Sequence, residues 1–321
     1  MTAAQKMEGG GGGRNKVAYL GPVASYSHQA TKSVFSPDQK WELEPTVTIK
    51  EVFDVVQAGD ADYGVIPFEN STHGTVIFTL NGLADRAGSY ADLAVCGEIY
   101  LDVHHFLLGR RCFGGAAAGD ASLKHIERVY SHPQAFGQTA AFFAKHLRGV
   151  DTIDVTSTSK AAELAAADTT GKSAAVAGEI AAETYALDVL AASIEDRDDN
   201  TTRFFVIRKG KERQEQQESS GKEGGDPYGN KHKSLLSFTV PHRTPGALAD
   251  VLGFFKSRSL NLTSINSLPS LLEPFHYLFF VEFEGSRFDD PEGRVKAVFE
   301  DVERAALRST WLGSWENQRR R

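Results

Sequence analysis

The sequence predicts an α/β protein in two parts: a two-lobed domain with a cleft between its lobes, and a smaller ferredoxin-like domain behind it. Short apolar strands alternate with helical segments as far as residue 208, which is typical of α/β units with parallel strands. Residues 209–232 are dominated by Gly, Ser, Lys, Glu and Gln, a composition that predicts a flexible linker. Residues 233–318 then follow the order βαββαβ of a ferredoxin-like sandwich.

The first lobe is expected to comprise residues 16–101, completed by a returning strand at 201–208. Apolar runs predict strands at 17–20, 46–48 and 63–67, and helical spacing predicts helices at 25–35 and 49–58 between them. Residues 1–15 are small, polar and rich in Gly, so we expect a disordered tail in front of this lobe.

The second lobe is expected to comprise residues 102–200. Its predicted elements are strands at 101–108, 128–131 and 174–177, helices at 134–147 and 179–185, and an extended piece at 187–194. His104 and His105 lie in the first of these strands, where we expect them to have a packing role. Because open α/β sheets bind ligands beyond the carboxyl ends of their strands, we expect a ligand cleft between the lobes.

The C-terminal part has clear helix and strand signals. Thr244 is the expected N-cap of its first helix and Pro245 the first helical residue. Strands are predicted at 235–240, 261–267, 277–283 and 311–315. Two apolar stripes at helical spacing mark the two helices, and they consist of Leu248, Val251, Leu252, Phe255 and of Val295, Val298, Phe299, Val302.

Composition excludes several classes of function. A net charge of −7 argues against a nucleic-acid partner, and no apolar run approaches the ~20 residues of a membrane-spanning helix. The two cysteines, Cys96 and Cys112, are too few for a disulfide scaffold or a thiolate metal site, so we expect a reducing, cytoplasmic location. The sequence has no HExxH, paired CxxC or P-loop motif.

Four short stretches together resemble the prephenate dehydratase family. They occur in the family's order and at family-like distances, which makes the set more specific than any one motif. Ser25 and Tyr26 depart from the family's threonine and phenylalanine. The stretches are Gly21-Pro22-Val23-Ala24-Ser25-Tyr26-Ser27, Pro67-Phe68-Glu69-Asn70-Ser71, Ser131-His132-Pro133-Gln134 and Asn200-Thr201-Thr202-Arg203-Phe204.

The resemblance implies a periplasmic-binding-protein-like catalytic domain that converts prephenate to phenylpyruvate by expelling CO2 and a hydroxyl group, without a metal or organic cofactor. Thr202 is the expected hydrogen-bonding group for the departing hydroxyl. Arg203 is expected to contribute a positive charge and to hold a carboxylate. The alternative for Arg203 is a structural ion pair with one of three nearby acids, Asp196, Asp198 or Asp199.

The segment after the buried strand at 63–67 should supply further site residues. Asn70 and Ser71 can donate to a substrate carboxylate, and Glu69 is expected to orient a neighbour. The alternative is an Asn-Ser turn that starts a helix.

Two helix starts should also supply ligand groups. Ser25, Tyr26 and Ser27 begin the first helix, where the same residues can serve as an ordinary N-cap and as an anion site. Ser131 and Gln134 begin a helix in the second lobe, and Gln138 lies one turn further on. His132 is either an acid or a structural residue before proline. All of these positions are candidates for substrate binding.

The C-terminal part resembles an ACT regulatory domain, which implies a homodimer or homotetramer and L-phenylalanine as effector. Gly246-Ala247-Leu248 matches the ligand-loop motif of that domain. Asn266-Ser267-Leu268-Pro269 lies where the family usually has Glu-Ser-Arg-Pro, so the charged pair is absent and Ser267 and Pro269 are kept.

Rival interpretations of the same motifs remain open at this point. An arogenate dehydratase shares fold and motifs, and the missing plastid-like leader favours prephenate as substrate. A catalytically silent amino-acid sensor fits the two-lobed fold, although the Thr202-Arg203-Phe204 motif argues against it. Since no long helical segment precedes residue 17, we expect no chorismate mutase fused in front.

Overall fold

The computed structural model describes residues 15–36, 41–111, 123–210 and 231–319. The expected tail at 1–15 and linker at 209–232 therefore lie almost entirely outside the described residues. In the described ranges the α/β class, the two lobes and the C-terminal βαββαβ order are confirmed. No helix in these ranges is long and apolar enough to cross a membrane.

The strands are β1 (Asn15–Leu20), β2 (Trp41–Thr46), β3 (Tyr63–Asn70), β4 (Gly74–Thr75), β5 (Leu93–Asp102), β6 (Phe106–Gly109), β7 (Arg128–Ser131), β8 (Asp151–Asp154), β9 (Ser173–Ala177), β10 (Asp188–Ala191), β11 (Thr201–Lys209), β12 (His232–Thr239), β13 (Leu262–Pro269), β14 (Tyr277–Glu284) and β15 (Arg308–Glu316). The helices are α1 (Tyr26–Val34), α2 (Ile49–Ala58), α3 (Ile77–Ala84), α4 (Pro133–Gly137), α5 (Ala140–His146), α6 (Thr158–Ala167), α7 (Ile180–Tyr185), α8 (Ala247–Ser257) and α9 (Arg294–Ala305).

Each lobe contains one mixed sheet. Lobe 1 has the order β2-β1-β3-β11-β5, in which β1 is parallel to β2 and β3, while β11 is antiparallel to both of its neighbours. Lobe 2 has the order β10-β6-β9-β7-β8. The chain crosses from lobe 1 to lobe 2 after β5 and returns before β11, so two segments, 103–105 and 192–200, connect the lobes.

Two predicted elements of lobe 2 are broken in the structure. The strand predicted at 101–108 is interrupted, because residues 103–105 form the first crossing between β5 and β6. The helix predicted at 134–147 divides into α4 and α5. Its break coincides with a cap from the return crossing, since the Asp196 carboxylate accepts hydrogen bonds from the amides of Ala140 and Ala141, both at 3.0 Å.

In lobe 1 one predicted strand lies elsewhere in the structure, and one predicted helix start is confirmed. The strand predicted at 46–48 is instead β2, which ends at Thr46. Thr48 is the N-cap of α2, and its hydroxyl accepts from the Glu51 amide at 3.1 Å. Ser25 is the N-cap of α1 as expected, and its hydroxyl accepts from the His28 amide at 3.2 Å.

The C-terminal domain is an antiparallel sheet in the order β13-β14-β12-β15, with α8 and α9 packed on one face. Its first helix begins later than predicted. Gly246, with a φ of 86°, is the N-cap, and neither Thr244 nor Pro245 is helical. A positive φ is easily adopted by glycine, so the chain turns there before α8 starts.

The other face of the C-terminal sheet packs on lobe 1. Leu235, Leu312 and Trp315 share one buried cluster with Val95 and Phe205 of lobe 1. The rings of Phe205 and Trp315 lie 5.3 Å apart. The two parts of the chain therefore share a hydrophobic core.

A cluster of four buried charges lies in the same interface. Lobe 1 contributes Arg203 from β11 and Glu98 from β5, and the C-terminal domain contributes Lys233 from β12 and Glu282 from β14. Arg203 pairs with Glu98 at 2.6 Å and also with Glu282. Lys233 lies 3.2 Å from Glu98 and 3.5 Å from Glu282. All four residues are more than nine-tenths buried, so the charges compensate one another in place of water.

We predict that Arg203→Met destabilises the full chain by about 3–5 kcal/mol, because it leaves two buried carboxylates with one cation. Urea unfolding followed by circular dichroism measures the loss. Arg197→Met is the control, since Arg197 pairs with Asp199 at 2.6 Å on the surface, where solvent screens the pair, and its loss should change stability far less. Equal losses in the two variants would contradict this account of the interface.

Gly313 of β15 should tolerate no side chain. Its φ is 147°, and a Cβ there would lie 2.0 Å from the carbonyl oxygen of Val95. We expect Gly313→Ala to destabilise the chain by about 3 kcal/mol or more, through overpacking and backbone strain. Gly253→Ala is the matched control, since a Cβ there meets nothing within 4 Å and should stabilise α8 by ~0.5–1 kcal/mol. A Gly313→Ala protein with the wild-type melting temperature would refute the clash.

Candidate active site

The edges of the two sheets face each other across the lobe connections. In lobe 1 the carboxyl ends of β1, β3 and β5 share an edge with the start of β11. In lobe 2 the carboxyl ends of β7, β8 and β9 share an edge with the start of β6. Both crossings join these edges, so the loops that carry the predicted site residues border the same cleft.

Asn70 and Thr202 form the centre of the lobe 1 side. They are directly opposite each other on β3 and β11, and the Asn70 amide donates to the Thr202 hydroxyl oxygen at 2.9 Å. The same amide nitrogen donates to the side-chain oxygen of Asn200 at 2.8 Å. The Asn70 side-chain oxygen accepts from the amides of Thr72 and His73, both at 3.0 Å. The Asn70 side chain is thus held in place at both ends.

Ser71 holds the return crossing against β3. Its hydroxyl donates to the carbonyl of Asp199 at 3.1 Å and accepts from the amide of Thr201 at 3.0 Å. Because both of these partners are backbone groups, Ser71 positions the segment that leads into Thr202.

Arg203 and Glu69 do not join Asn70 and Thr202. Successive side chains of a strand point to opposite faces, so these two residues project from the other face of the sheet. There they line a cavity of about 830 Å³ between lobe 1 and the C-terminal domain. Arg203 is occupied by Glu98 and Glu282, so the geometry does not support its expected contact with a substrate carboxylate.

The alternative expected for Arg203, an ion pair with a nearby aspartate, is not observed either, because its ion-pair partners are Glu98 and Glu282. Asp199 pairs with Arg197, and Asp196 caps α5. Burial alone would lower the pKa of Arg203, but the carboxylates of Glu282 and Glu98 outweigh it and raise the pKa, so the guanidinium stays charged.

Tyr26 is the residue of α1 that reaches across to the lobe connection. Its hydroxyl lies 2.7 Å from Nδ1 of His105 and 3.1 Å from the carbonyl oxygen of His104. Burial, and then the negative charge of Glu195, raise the pKa of Tyr26, so its hydroxyl stays protonated. Ser25 is used as the N-cap, and Ser27 is buried within the lobe.

The lobe 2 candidates separate into structural and cleft-facing residues. The Ser131 hydroxyl is buried and donates to the carbonyl of Val176 at 2.8 Å. His132 is the N-cap of α4, and its Nδ1 accepts from the Gln134 amide at 3.2 Å, which fits the structural alternative. The side chain of Gln134 is exposed. Gln138 ends α4, and its side-chain oxygen lies 2.7 Å from Nε2 of His105.

Asn200, His105 and Glu195 are polar residues of the cleft that the sequence interpretation missed. Asn200 stands at the edge of the Thr202-Arg203-Phe204 motif, where no local pattern marks it as a site residue. His105 lies in an apolar run, where packing is the ordinary expectation. Glu195 belongs to the return crossing, which has no periodic pattern. Its carboxylate is bound by the His105 amide at 2.8 Å and by Nδ1 of His104 at 2.7 Å.

The expected effector residues lie at one end of the C-terminal sheet. The loop between β12 and α8, which ends at Gly246, is tied to the start of β14 because Nε2 of His242 accepts from the Tyr277 amide at 2.8 Å. Ser267 of β13 is directly opposite Phe279 of β14. Asn266 contacts lobe 1, since its side-chain oxygen accepts from the Thr75 hydroxyl at 2.8 Å. Ala247 and Leu248 begin α8 and pack against its core.

No cluster of three or more His, Cys, Asp or Glu side chains in the described ranges could hold a metal ion. The groups gathered at the cleft include hydroxyls, amides and the imidazole of His105, together with the carboxylate of Glu195. Such groups can orient a substrate and donate hydrogen bonds to a departing oxygen.

Comparison with known proteins agrees with this geometry. The sequence model of the prephenate dehydratase family matches residues 17–212, more than half of the chain. A bifunctional chorismate mutase/prephenate dehydratase of Aquifex aeolicus is 37% identical over 300 residues, which cover 94% of this chain and 73% of that protein. A probable prephenate dehydratase of Saccharomyces cerevisiae is 32% identical over 318 residues, covering 89% and 92%.

A solved structure of a prephenate dehydratase from Arthrobacter aurescens in complex with L-Phe is similar along nearly the whole chain. It superposes with a TM-score of 0.76 at 25% identity, covering 94% of this chain and 90% of that one. The extent of these matches confirms the resemblance carried by the four motifs. The chain belongs to the prephenate dehydratase family.

Proposed function

We propose that the cleft converts prephenate to phenylpyruvate, CO2 and water, the dehydration step of phenylalanine biosynthesis. The bond between C1 and the ring carboxylate breaks, and its electron pair enters the ring as the product becomes aromatic. The bond between C4 and its hydroxyl oxygen breaks in turn, and the departing hydroxide takes up one proton to become water. The enzyme has to orient a dianion and deliver a hydrogen bond or proton to the leaving oxygen.

The contact between Asn70 and Thr202 carries the assignment of the leaving-group donor. A hydroxyl has one proton, and the Asn70 amide already donates to the Thr202 oxygen at 2.9 Å. In the described part of the chain no group accepts a hydrogen bond from the Thr202 hydroxyl. This hydroxyl can therefore donate to a substrate oxygen. Accepting a hydrogen bond also polarises the hydroxyl, which makes it a stronger donor.

Neutral polar groups of both lobes support the binding of the substrate. The first amides of α1, at Tyr26 and Ser27, lie beyond the cap that Ser25 provides and offer an anion site at the helix start. The side chains of Tyr26 and Gln138 come from opposite lobes and meet at His105. A substrate between the lobes could therefore be contacted from both sides.

We also propose that the C-terminal domain forms a homodimer or homotetramer, and that L-phenylalanine is its effector. An exposed apolar patch supports an interface between copies. Leu271 is 72% exposed, Leu272 66% and Phe275 87%. Leu271 and Phe275 also have positive φ values of 61° and 62°, which is unusual for large side chains. Exposure of such residues on a strained loop marks an interaction surface. A reducing, cytoplasmic location stays a prediction.

Thr202→Val should remove the leaving-group donor while it keeps the shape of the side chain. We expect phenylpyruvate formation from prephenate, without added metal or cofactor, to lose ~10²–10³ in kcat with KM little changed. Thr201→Val is the matched control. The Thr201 hydroxyl donates to Asp102 at 2.7 Å on the face of the sheet that carries Arg203, so its loss should change kcat less than about threefold.

The same assay distinguishes the rival activities. If the wild type turns over arogenate but not prephenate, its activity is that of an arogenate dehydratase. If it turns over neither compound, the chain is a binding protein without catalytic activity. Full activity of the Thr202→Val variant would remove Thr202 from the chemistry.

The oligomer proposal predicts a light-scattering mass of two or four times the 34.9 kDa chain. Phe275→Asp should reduce this mass towards one chain, because it places a charge in the apolar patch. Phe78→Asp is the control, since Phe78 is 74% exposed but lies on α3 of lobe 1. A wild-type mass of one chain would defeat the proposal.

A further inference from the structure

We propose that His105 is a positioning residue, which holds Tyr26 of lobe 1 and Gln138 of lobe 2 as one hydrogen-bonded unit at the base of the cleft. In this unit the imidazole is neutral and carries its proton on Nε2. The inference rests on the proposed function, because it concerns how two substrate-binding groups are oriented for the same reaction.

The geometry places one contact on each ring nitrogen. Nδ1 of His105 lies 2.7 Å from the Tyr26 hydroxyl, and Nε2 lies 2.7 Å from the side-chain oxygen of Gln138. His105 itself is 98% buried, with a relative exposure of 2%. Two short contacts on a buried ring leave it little freedom to rotate.

The contacts together select one tautomer. An amide oxygen only accepts hydrogen bonds, so the nitrogen that faces Gln138 has to carry the proton. Nδ1 is then the acceptor of a hydrogen bond from the Tyr26 hydroxyl, whose proton stays on its own oxygen. The carbonyl of His104 competes for that proton but lies farther away, at 3.1 Å against 2.7 Å.

The backbone of His105 is fixed by the return crossing. Its amide donates to Glu195 at 2.8 Å, and its carbonyl accepts from the Ile194 amide at 2.9 Å. The second oxygen of Glu195 lies 2.7 Å from Nδ1 of His104. His105 is therefore anchored where the two crossings lie side by side, which is the point about which the lobes would hinge.

The electrostatic surroundings agree with a neutral ring. Burial lowers the pKa of His105, while Gln138 and Glu195 act in the opposite direction to a smaller extent. The ionisable groups that face it are Tyr26, His104 and Glu195. A neutral ring can serve both partners at once, whereas a protonated ring would have no acceptor for Tyr26.

Two consequences follow for the substrate. The NH2 group of Gln138 is left to donate, since its oxygen is taken by His105. The Tyr26 hydroxyl donates to His105, so its oxygen is left to accept a hydrogen bond from water or substrate. His105 thereby sets which end of each group a substrate meets, without touching the substrate itself.

The experiment uses two substitutions that each keep one half of the unit. His105→Asn places an acceptor near Nδ1, so it keeps Tyr26 and loses Gln138. His105→Gln places a donor near Nε2, so it keeps Gln138 and loses Tyr26. Each is combined with Tyr26→Phe and with Gln138→Ala in the full-length protein, and kcat and KM are measured with prephenate.

We expect both His105 variants to raise KM about tenfold with kcat within about threefold, the opposite of the pattern for Thr202→Val. Tyr26→Phe should add less than about twofold in the His105→Gln protein but keep its full effect in the His105→Asn protein. Gln138→Ala should show the reverse. Independent effects in all four combinations would overturn the proposal, provided the wild type is active. An inactive wild type would instead refute the proposed function.

The tautomer is measured in the wild-type protein, which keeps the test decisive if a variant fails to fold. Nitrogen NMR of ¹⁵N-histidine-labelled protein should give a buried imidazole with a protonated Nε2 and a bare Nδ1, and Tyr26→Phe should shift the Nδ1 signal. A proton on Nδ1 of His105 would overturn the proposal.

Discussion

The buried charge cluster between lobe 1 and the C-terminal domain is the constraint on which the arrangement of the active site depends. Removing four charges from water is costly, and the cost is offset only while all four remain together. Arg203 and Glu98 come from one domain, and Lys233 and Glu282 from the other. Separation of the domains would leave Arg203 and Glu98 without half of their partners. The cluster therefore fixes β11 against the C-terminal sheet, one residue away from Thr202.

Strand alternation makes this constraint relevant to the chemistry. Thr202 and Arg203 are consecutive, so one side chain faces the cleft while the next is buried in the interface. The C-terminal domain is also connected to the neighbourhood of β3. Thr75 of β4, which pairs with Glu69 of β3, donates a hydrogen bond to Asn266 of β13 at 2.8 Å. β11, which carries Thr202, thus contacts the C-terminal sheet directly, and β3, which carries Asn70, is linked to it through β4. A ligand that moves that sheet relative to lobe 1 has to break these contacts or move the strands.

Local periodicity predicted most of the fold, and distant contacts account for what it missed. The helix at 49–58 and the strand at 128–131 were predicted with their observed bounds. The break between α4 and α5 coincides with a cap from Asp196, 56 residues further along the chain, which no local pattern encodes. The opposite orientations of Thr202 and Arg203 follow from strand geometry and could have been predicted. The partners of Arg203 could not, since Glu98 and Glu282 are 105 and 79 residues away in sequence.

The position of Arg203 also explains why orientation matters so much in this cleft. The guanidinium next to Thr202 in sequence is neutralised by two carboxylates on the other side of the sheet, so its charge contributes little to binding a dianion. The protein as a whole carries a net charge of −7, which does not attract an anion either. The donors gathered at the cleft are neutral hydroxyl and amide groups. Such donors stabilise a developing negative charge only when they are fixed before the reaction begins. The contacts of Asn70 with Thr202 in lobe 1 and of His105 with Gln138 at the lobe connection fix these donors in place.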